Sequence, residues 1–150
     1  MIPPFLARDF IETRDGSAYA LIVDGLVDGV LIGTLRYRRE GTNWVKLSTA
    51  AAREAREAAG GHRTGYIPRF DARLPLIDPS QVLRHHRPDV RLRSLTGETI
   101  EAAETERVPV DRLRRVVARL VADSVDAKHL GVTGSLLIGA ATESSDLDLV

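Results

Sequence analysis

The sequence contains no cysteine, which excludes disulfide staples and thiolate metal sites and leaves a reducing compartment permitted. No apolar run approaches the roughly 20 residues of a membrane-spanning helix. The first residues, MIPPFLARDF, lack the charged lead and apolar stretch of a signal peptide. With no membrane segment in view, a cytoplasmic protein is the default expectation. Lysine is scarce: Lys46 and Lys128 are two of the 21 basic residues, and the rest are arginine. Net charge is also missing, since 21 acidic residues balance the basic ones, so the chain as a whole is not strongly basic. The 150 residues, 43% of them hydrophobic, suffice for one globular domain or two small units sharing a core.

The charge that cancels overall is unevenly placed. Residues 1–62 balance, residues 63–93 carry seven arginines against three aspartates, and residues 94–150 carry six basic against ten acidic side chains. A guanidinium presents planar paired donors that match phosphate oxygens, so the basic middle segment is a candidate contact for RNA or DNA, although surface arginine also serves ordinary solvation.

Strands and turns are expected at the start. Ala18–Val23 is a short apolar run, Asp24-Gly25 and Asp28-Gly29 are turn signals, and Val30–Arg38 is rich in β-branched and aromatic residues. Trp44–Leu47 adds a further strand. Ser48 then caps a helix over about Thr49–Ala59, stopped by Gly60-Gly61. From His62 to Ser94 the pattern is irregular, broken by Pro68, Pro75, Pro79 and Pro88, with Asp78-Pro79 predicting a short helix that ends near His86. His85 and His86 are neighbours and diverge on a helix, so they are expected at the surface or against phosphate rather than on zinc. Thr96-Gly97 and Thr105–Pro109 punctuate the next stretch. Val110–His129 is the clearest predicted helix, because Val110, Leu113, Val116, Val117, Leu120, Val121 and Ser124 recur at three and four, leaving Arg112, Arg114, Arg115 and Arg119 for a solvated face.

The last twenty residues are the most specific. Val132-Thr133 reads as a short strand entering a bend at Gly134-Ser135, and Leu136–Ala141 reads as the opening of a helix. Glycine at such a bend lets a backbone approach a ligand, exposed N–H groups favour phosphate, and the Ser135 hydroxyl can reach a phosphate oxygen. Asp146-Leu147-Asp148-Leu149-Val150 alternates as a half-buried strand, with both aspartates on one face. Paired carboxylates repel unless a cation lies between them, and Mg²⁺ prefers carboxylate oxygens combined with substrate phosphates.

Gly134-Ser135, ten intervening residues, then Asp146-x-Asp148 with apolar neighbours resembles the signature of the DNA polymerase beta-type nucleotidyltransferase superfamily. GVTGSLLIG followed by SSDLDLV is similar to archaeal predicted nucleotidyltransferases in which this domain follows a β-rich segment and a helical stretch. The resemblance implies that Gly134 and Ser135 hold the phosphates of a nucleoside triphosphate and that Asp146 and Asp148 bind two Mg²⁺ ions. The implied reaction transfers a nucleoside monophosphate to a hydroxyl acceptor, on RNA or protein, with release of pyrophosphate. The expected fold is α+β: a β-rich and helical segment over residues 1–94, then residues 95–150 opening a truncated nucleotidyltransferase-type mixed sheet. The family pattern needs a third carboxylate on a later strand. The sequence ends at Val150 without one, so the expectation is either a truncated product or a carboxylate supplied by another copy, by a complementing chain, or by an upstream acid such as Glu143, Asp123 or Asp126. The competing expectations are a non-catalytic nucleotide- or nucleic-acid-binding module working through residues 63–93, and an antitoxin-like interaction protein.

Overall fold

The computed structural model describes residues 4–58, 63–97 and 102–150, with the side chains of 56–58 excepted. It is a mixed α+β structure with a largely antiparallel sheet, and the chain divides into two compact units, Met1–His85 and His86–Val150.

The first unit is built on a seven-stranded sheet. Its strands are β1 (Phe10–Thr13), β2 (Ser17–Leu21), β3 (Leu31–Glu40), β4 (Asn43–Lys46), β5 (Thr64–Ile67), β6 (Ala72–Ile77) and β7 (Val82–His86). The order across the sheet is β5-β6-β3-β2-β1-β7, with β4 also paired to β3. The turn signals act as expected: Gly25, Asp28 and Gly29 all take positive φ where the chain leaves β2 and returns as β3. Helix α1 (Thr49–Ala58) begins at the expected cap, where Ser48 Oγ accepts from the Ala51 N–H at 3.1 Å. The expected glycine stop at Gly60-Gly61 lies outside the described residues. Ala52 and Ala55 of α1 pack with Ile11, Tyr19, Leu21, Leu31, Leu35 and Ile77, forming an apolar layer against the sheet.

The proline-rich stretch is more regular than expected. Pro68 and Pro79 each open a single 3-10 turn, and Pro88 opens helix α2 (Pro88–Thr96), because a fixed φ and a missing N–H cost nothing at a first helical position. The helix expected from Asp78 to His86 is one such turn, Pro79–Gln81, followed by strand β7. Asp78 does cap it, accepting from the Ser80 N–H at 2.8 Å, but the chain then extends because a place beside β1 is available at the sheet edge.

The second unit holds α2, helix α3 (Arg107–Ala122), and strands β8 (Val132–Thr133) and β9 (Asp148–Leu149). Its core gathers Leu92 and Leu95 from α2, Val110, Leu113 and Val117 from α3, and Val132, Leu136 and Ala141 from the final stretch. The unit therefore begins upstream of residue 94. Helix α3 is shorter than the predicted Val110–His129: it ends at Ala122, Ser124 takes φ +72°, and Asp126 caps a separate 3-10 turn by accepting from the Lys128 N–H at 3.1 Å. Beyond Val117 the predicted stripe has little to cover, and Val121 stays 46% exposed.

Candidate functional site

Strands β8 and β9 pair antiparallel, Val132 opposite Leu149 and Thr133 opposite Asp148. The ladder is lengthened by reciprocal bonds between Gly131 and Val150, at 2.7 and 3.0 Å. Gly131 has no room for a side chain, since a Cβ there would lie 2.6 Å from the Pro88 Cβ. That close approach seats the ladder on the start of α2.

Immediately after β8 the chain bends at Gly134, with φ +68°, a conformation natural to glycine. The Asp148 carboxylate lies directly over this residue. A Cβ on Gly134 would collide with Asp148 Oδ2 and sit 3.3 Å from its Cγ. The glycine and the second aspartate of the motif, fourteen positions apart in sequence, thus form one contact, made by the strand register. Asp146 and Asp148 are both exposed, while Leu147 and Leu149 are partly buried and pack on the core. The expected alternation holds in burial, although regular strand is limited to Asp148–Leu149 and Asp146 precedes it.

The helix expected from Leu136 is absent. Residues Gly134–Gly139 form consecutive turns closed by Leu137 N–H to Gly134 O at 3.2 Å and Ala140 N–H to Ser135 O at 2.8 Å. Leu136, Leu137 and Ile138 are all buried, and Gly139 takes φ +75°. Three successive buried side chains do not fit one apolar stripe of a helix, so the chain coils against the core and turns away at Gly139. Ser135 is half-buried at the start of the turns.

Two arginines outside the motif hold its limbs. Arg91 of α2 donates from Nε to the Leu136 carbonyl at 3.0 Å and pairs with Glu106 at 2.9 Å. Glu106 is 1% exposed and also accepts from the Ala103 N–H at 3.2 Å, so the guanidinium is anchored from inside the unit. Arg112 of α3 donates to the carbonyls of Ser145 and Glu143, each at 3.3 Å, immediately ahead of Asp146. The turn it grips is closed by Thr142 N–H to Ser145 Oγ at 2.9 Å and Ser145 N–H to Thr142 O at 2.9 Å. Sequence periodicity assigns Arg112 to a solvated face. Its role is invisible there because the acceptors are backbone carbonyls some thirty residues away, which leave no trace in side-chain pattern.

Two of the three upstream acids are engaged elsewhere. Asp123 is bound to Arg119 at 3.0 Å and Asp126 to Lys128 at 2.7 Å. Among the described residues no group of three or more His, Asp or Glu is arranged to hold a metal ion.

The basic segment divides sharply. Arg87 and Arg93 both engage Asp89, at 3.1 and 2.9 Å, and Arg91 is taken by Glu106. Arg63, Arg69, Arg73 and Arg84 are exposed. His85 is not a surface or phosphate ligand: its Nε2 lies 2.6 Å from Asp9 Oδ2, Asp9 is 3% exposed, and the ring lies 4.6 Å from Phe5. Asp9 is fixed further by the Leu6 N–H at 2.9 Å, making this pair a clasp for the first unit.

No helix among the described residues is long and apolar enough to cross a membrane. Comparison with known proteins finds no matching family model, no matching curated protein and no matching solved structure.

Proposed function

We propose that this chain binds a nucleoside triphosphate with Mg²⁺ at the Gly134-Ser135 bend and the Asp146/Asp148 pair, and that it is a nucleotidyltransferase of the DNA polymerase beta type. The observation that carries the proposal is the Asp148 carboxylate lying over the Gly134 backbone. A bend that admits phosphate is of use in this chemistry only where a cation-binding carboxylate stands beside it.

Asp146 and Asp148 are the residues to hold the ion, both exposed on the side of their segment away from the core. Their donor set suits Mg²⁺, which takes one or two carboxylates and completes its shell with phosphate oxygens and water. When bound, the ion offsets charge on the triphosphate and polarises its phosphorus. Gly134, lacking a side chain, lets the Asp148 carboxylate stand against the bend, and the half-buried Ser135 hydroxyl donates to a phosphate oxygen. In the transfer, an acceptor hydroxyl oxygen bonds to the α-phosphorus, the bond to the β-phosphate oxygen breaks, and pyrophosphate leaves. The hydroxyl proton passes to solvent water.

Nucleotide binding is the direct test. Titration calorimetry with a nucleoside triphosphate and Mg²⁺ should give saturable binding that is lost on chelation and weakened at least tenfold in Asp148→Asn and Asp146→Asn. A wild-type chain that binds no triphosphate in Mg²⁺ ends the proposal. Transfer of an α-labelled phosphoryl group to RNA or protein then identifies the acceptor.

A further inference from the structure

We propose that the β5–β6 hairpin is a binding site for single-stranded nucleic acid, distinct from the nucleotide site and independent of its assignment.

The hairpin runs from Thr64 to Ile77 and belongs to the first unit. Only its base is rooted in the sheet, where Leu76 and Ile77 pair with Ile32 and Leu31 of β3. Burial falls along β6 from Ile77 and Pro75 to Arg73, which is exposed, and the turn beyond it is exposed at Asp71, Phe70 and Arg69. Strand β5 lies at the end of the strand order, so its outer edge is not covered by another strand of this sheet.

Two aromatic rings stand on this projecting end, Tyr66 at 53% and Phe70 at 38% exposure. Core packing does not account for them, because aromatic side chains gain most by complete burial. Their surroundings are cationic. Tyr66 is directly opposite Arg73 in the register, which puts the two residues on one face of the hairpin. The Arg69 guanidinium lies 5.6 Å from the Phe70 ring centroid. Tyr66 is also oriented, since its hydroxyl donates to Asp71 at 2.6 Å across the turn. Residues 63–77 carry three arginines against that one aspartate, in a chain whose net charge is zero.

Exposed ring faces interleaved with guanidinium groups match a polymer that offers flat bases and phosphates alternately. Stacking on a side chain requires bases whose faces are free, which favours a single strand over a duplex. This local concentration also revises the expectation for the whole segment 63–93. The arginines beyond residue 86, equally suited to phosphate by residue type, are engaged by Asp89 and Glu106.

Fluorescence anisotropy with labelled oligouridine and oligothymidine of about 15 nucleotides tests the proposal on the full chain. Binding should weaken roughly tenfold for each of Tyr66→Ala and Phe70→Ala. Tyr66→Phe should retain it, separating the ring from its bond to Asp71. In Arg69→Gln/Arg73→Gln the slope of log affinity against log salt should flatten by about 1.4, the loss of two phosphate contacts on a single strand. Unchanged circular dichroism confirms that these surface variants fold. Tighter binding of oligouridine identifies RNA as the source, and equal binding identifies recognition shared by both polymers. The proposal is overturned by absence of binding at low salt, by ring variants that bind as well as wild type, or by a hairpin that binds vesicles of anionic phospholipid and neither oligomer.

Discussion

The two units solve the problem of holding a chain in different ways. In the first, backbone pairing is long and continuous: β3 runs ten residues and touches β2, β4 and β6. In the second, β8 and β9 are two residues each, and the stretches around them are turns. There, side chains replace the missing ladder. Arg91 and Arg112 reach from α2 and α3 to backbone carbonyls on either side of the candidate site. An irregular segment must still satisfy its carbonyls, and a guanidinium with five donors can satisfy several at once while carrying positional information. The consequence is that the candidate site depends on residues outside its motif.

The strongest way to break this contrast is Arg91→Met. It strands the buried Glu106 carboxylate and releases the Leu136 carbonyl, at a cost of about 3 kcal/mol in urea unfolding. Adding Glu106→Leu should recover much of that loss, and a double variant no more stable than the single one contradicts a buried pair. Gly134→Ala comes next. It places a Cβ at positive φ and against the Asp148 carboxylate, so about 1–2 kcal/mol of stability should be lost together with nucleotide affinity. Retention of both would mean that the contact over the bend is dispensable.

Arg112→Gln sharpens the comparison further. Stability should fall by about 1 kcal/mol, since each 3.3 Å bond is long, while Mg²⁺-dependent triphosphate affinity falls several-fold because the turn before Asp146 loosens. Arg112→Lys should restore affinity only in part, as an ammonium cannot fork to two carbonyls as the planar guanidinium does. An equal loss of stability with unaltered affinity would reduce Arg112 to a structural role.

The smallest effect concerns pH, and it compares one exposed cap from each unit. Asp78 is held below the ordinary carboxylate range by its hydrogen bonds from Ser80, the side-chain one first, and Asp126 by those from Lys128 in the same order. A carboxyl depressed in the folded state contributes stability above its unfolded pKa, near 3.9, and loses it as pH falls through the lower folded value. Carboxyl carbon shifts followed by NMR should therefore titrate below about 3.9 for both residues. Midpoints at or above that value would remove the caps from the stability of the two turns.

Much of the first unit is legible in sequence because its signals are local. The turn residues between β2 and β3, and Ser48 ahead of α1, act through their chain neighbours, and the structure places them as expected. Strands β5, β6 and β7 are hidden by prolines that look like interruptions, although Pro68 opens a turn and Pro75 sits within a strand. Val82–His86 looks helical in sequence because the Asp78 cap is a true start signal. Whether a started turn grows into a helix or extends into a strand depends on the partner available, here β1.

At the candidate site the residue types and their spacing are legible, as is the alternation that turns both aspartates outward. By itself the sequence determined an apolar/polar order, a glycine able to bend, and two carboxylates two residues apart. Tertiary structure decided the rest. The pairing of Thr133 with Asp148 brings the carboxylate onto Gly134, the buried run Leu136–Ile138 coils instead of forming a helix, and arginines from two helices secure both limbs. Local pattern fixes which way a side chain faces along its own segment, whereas a contact between distant segments exists only once packing has set their register.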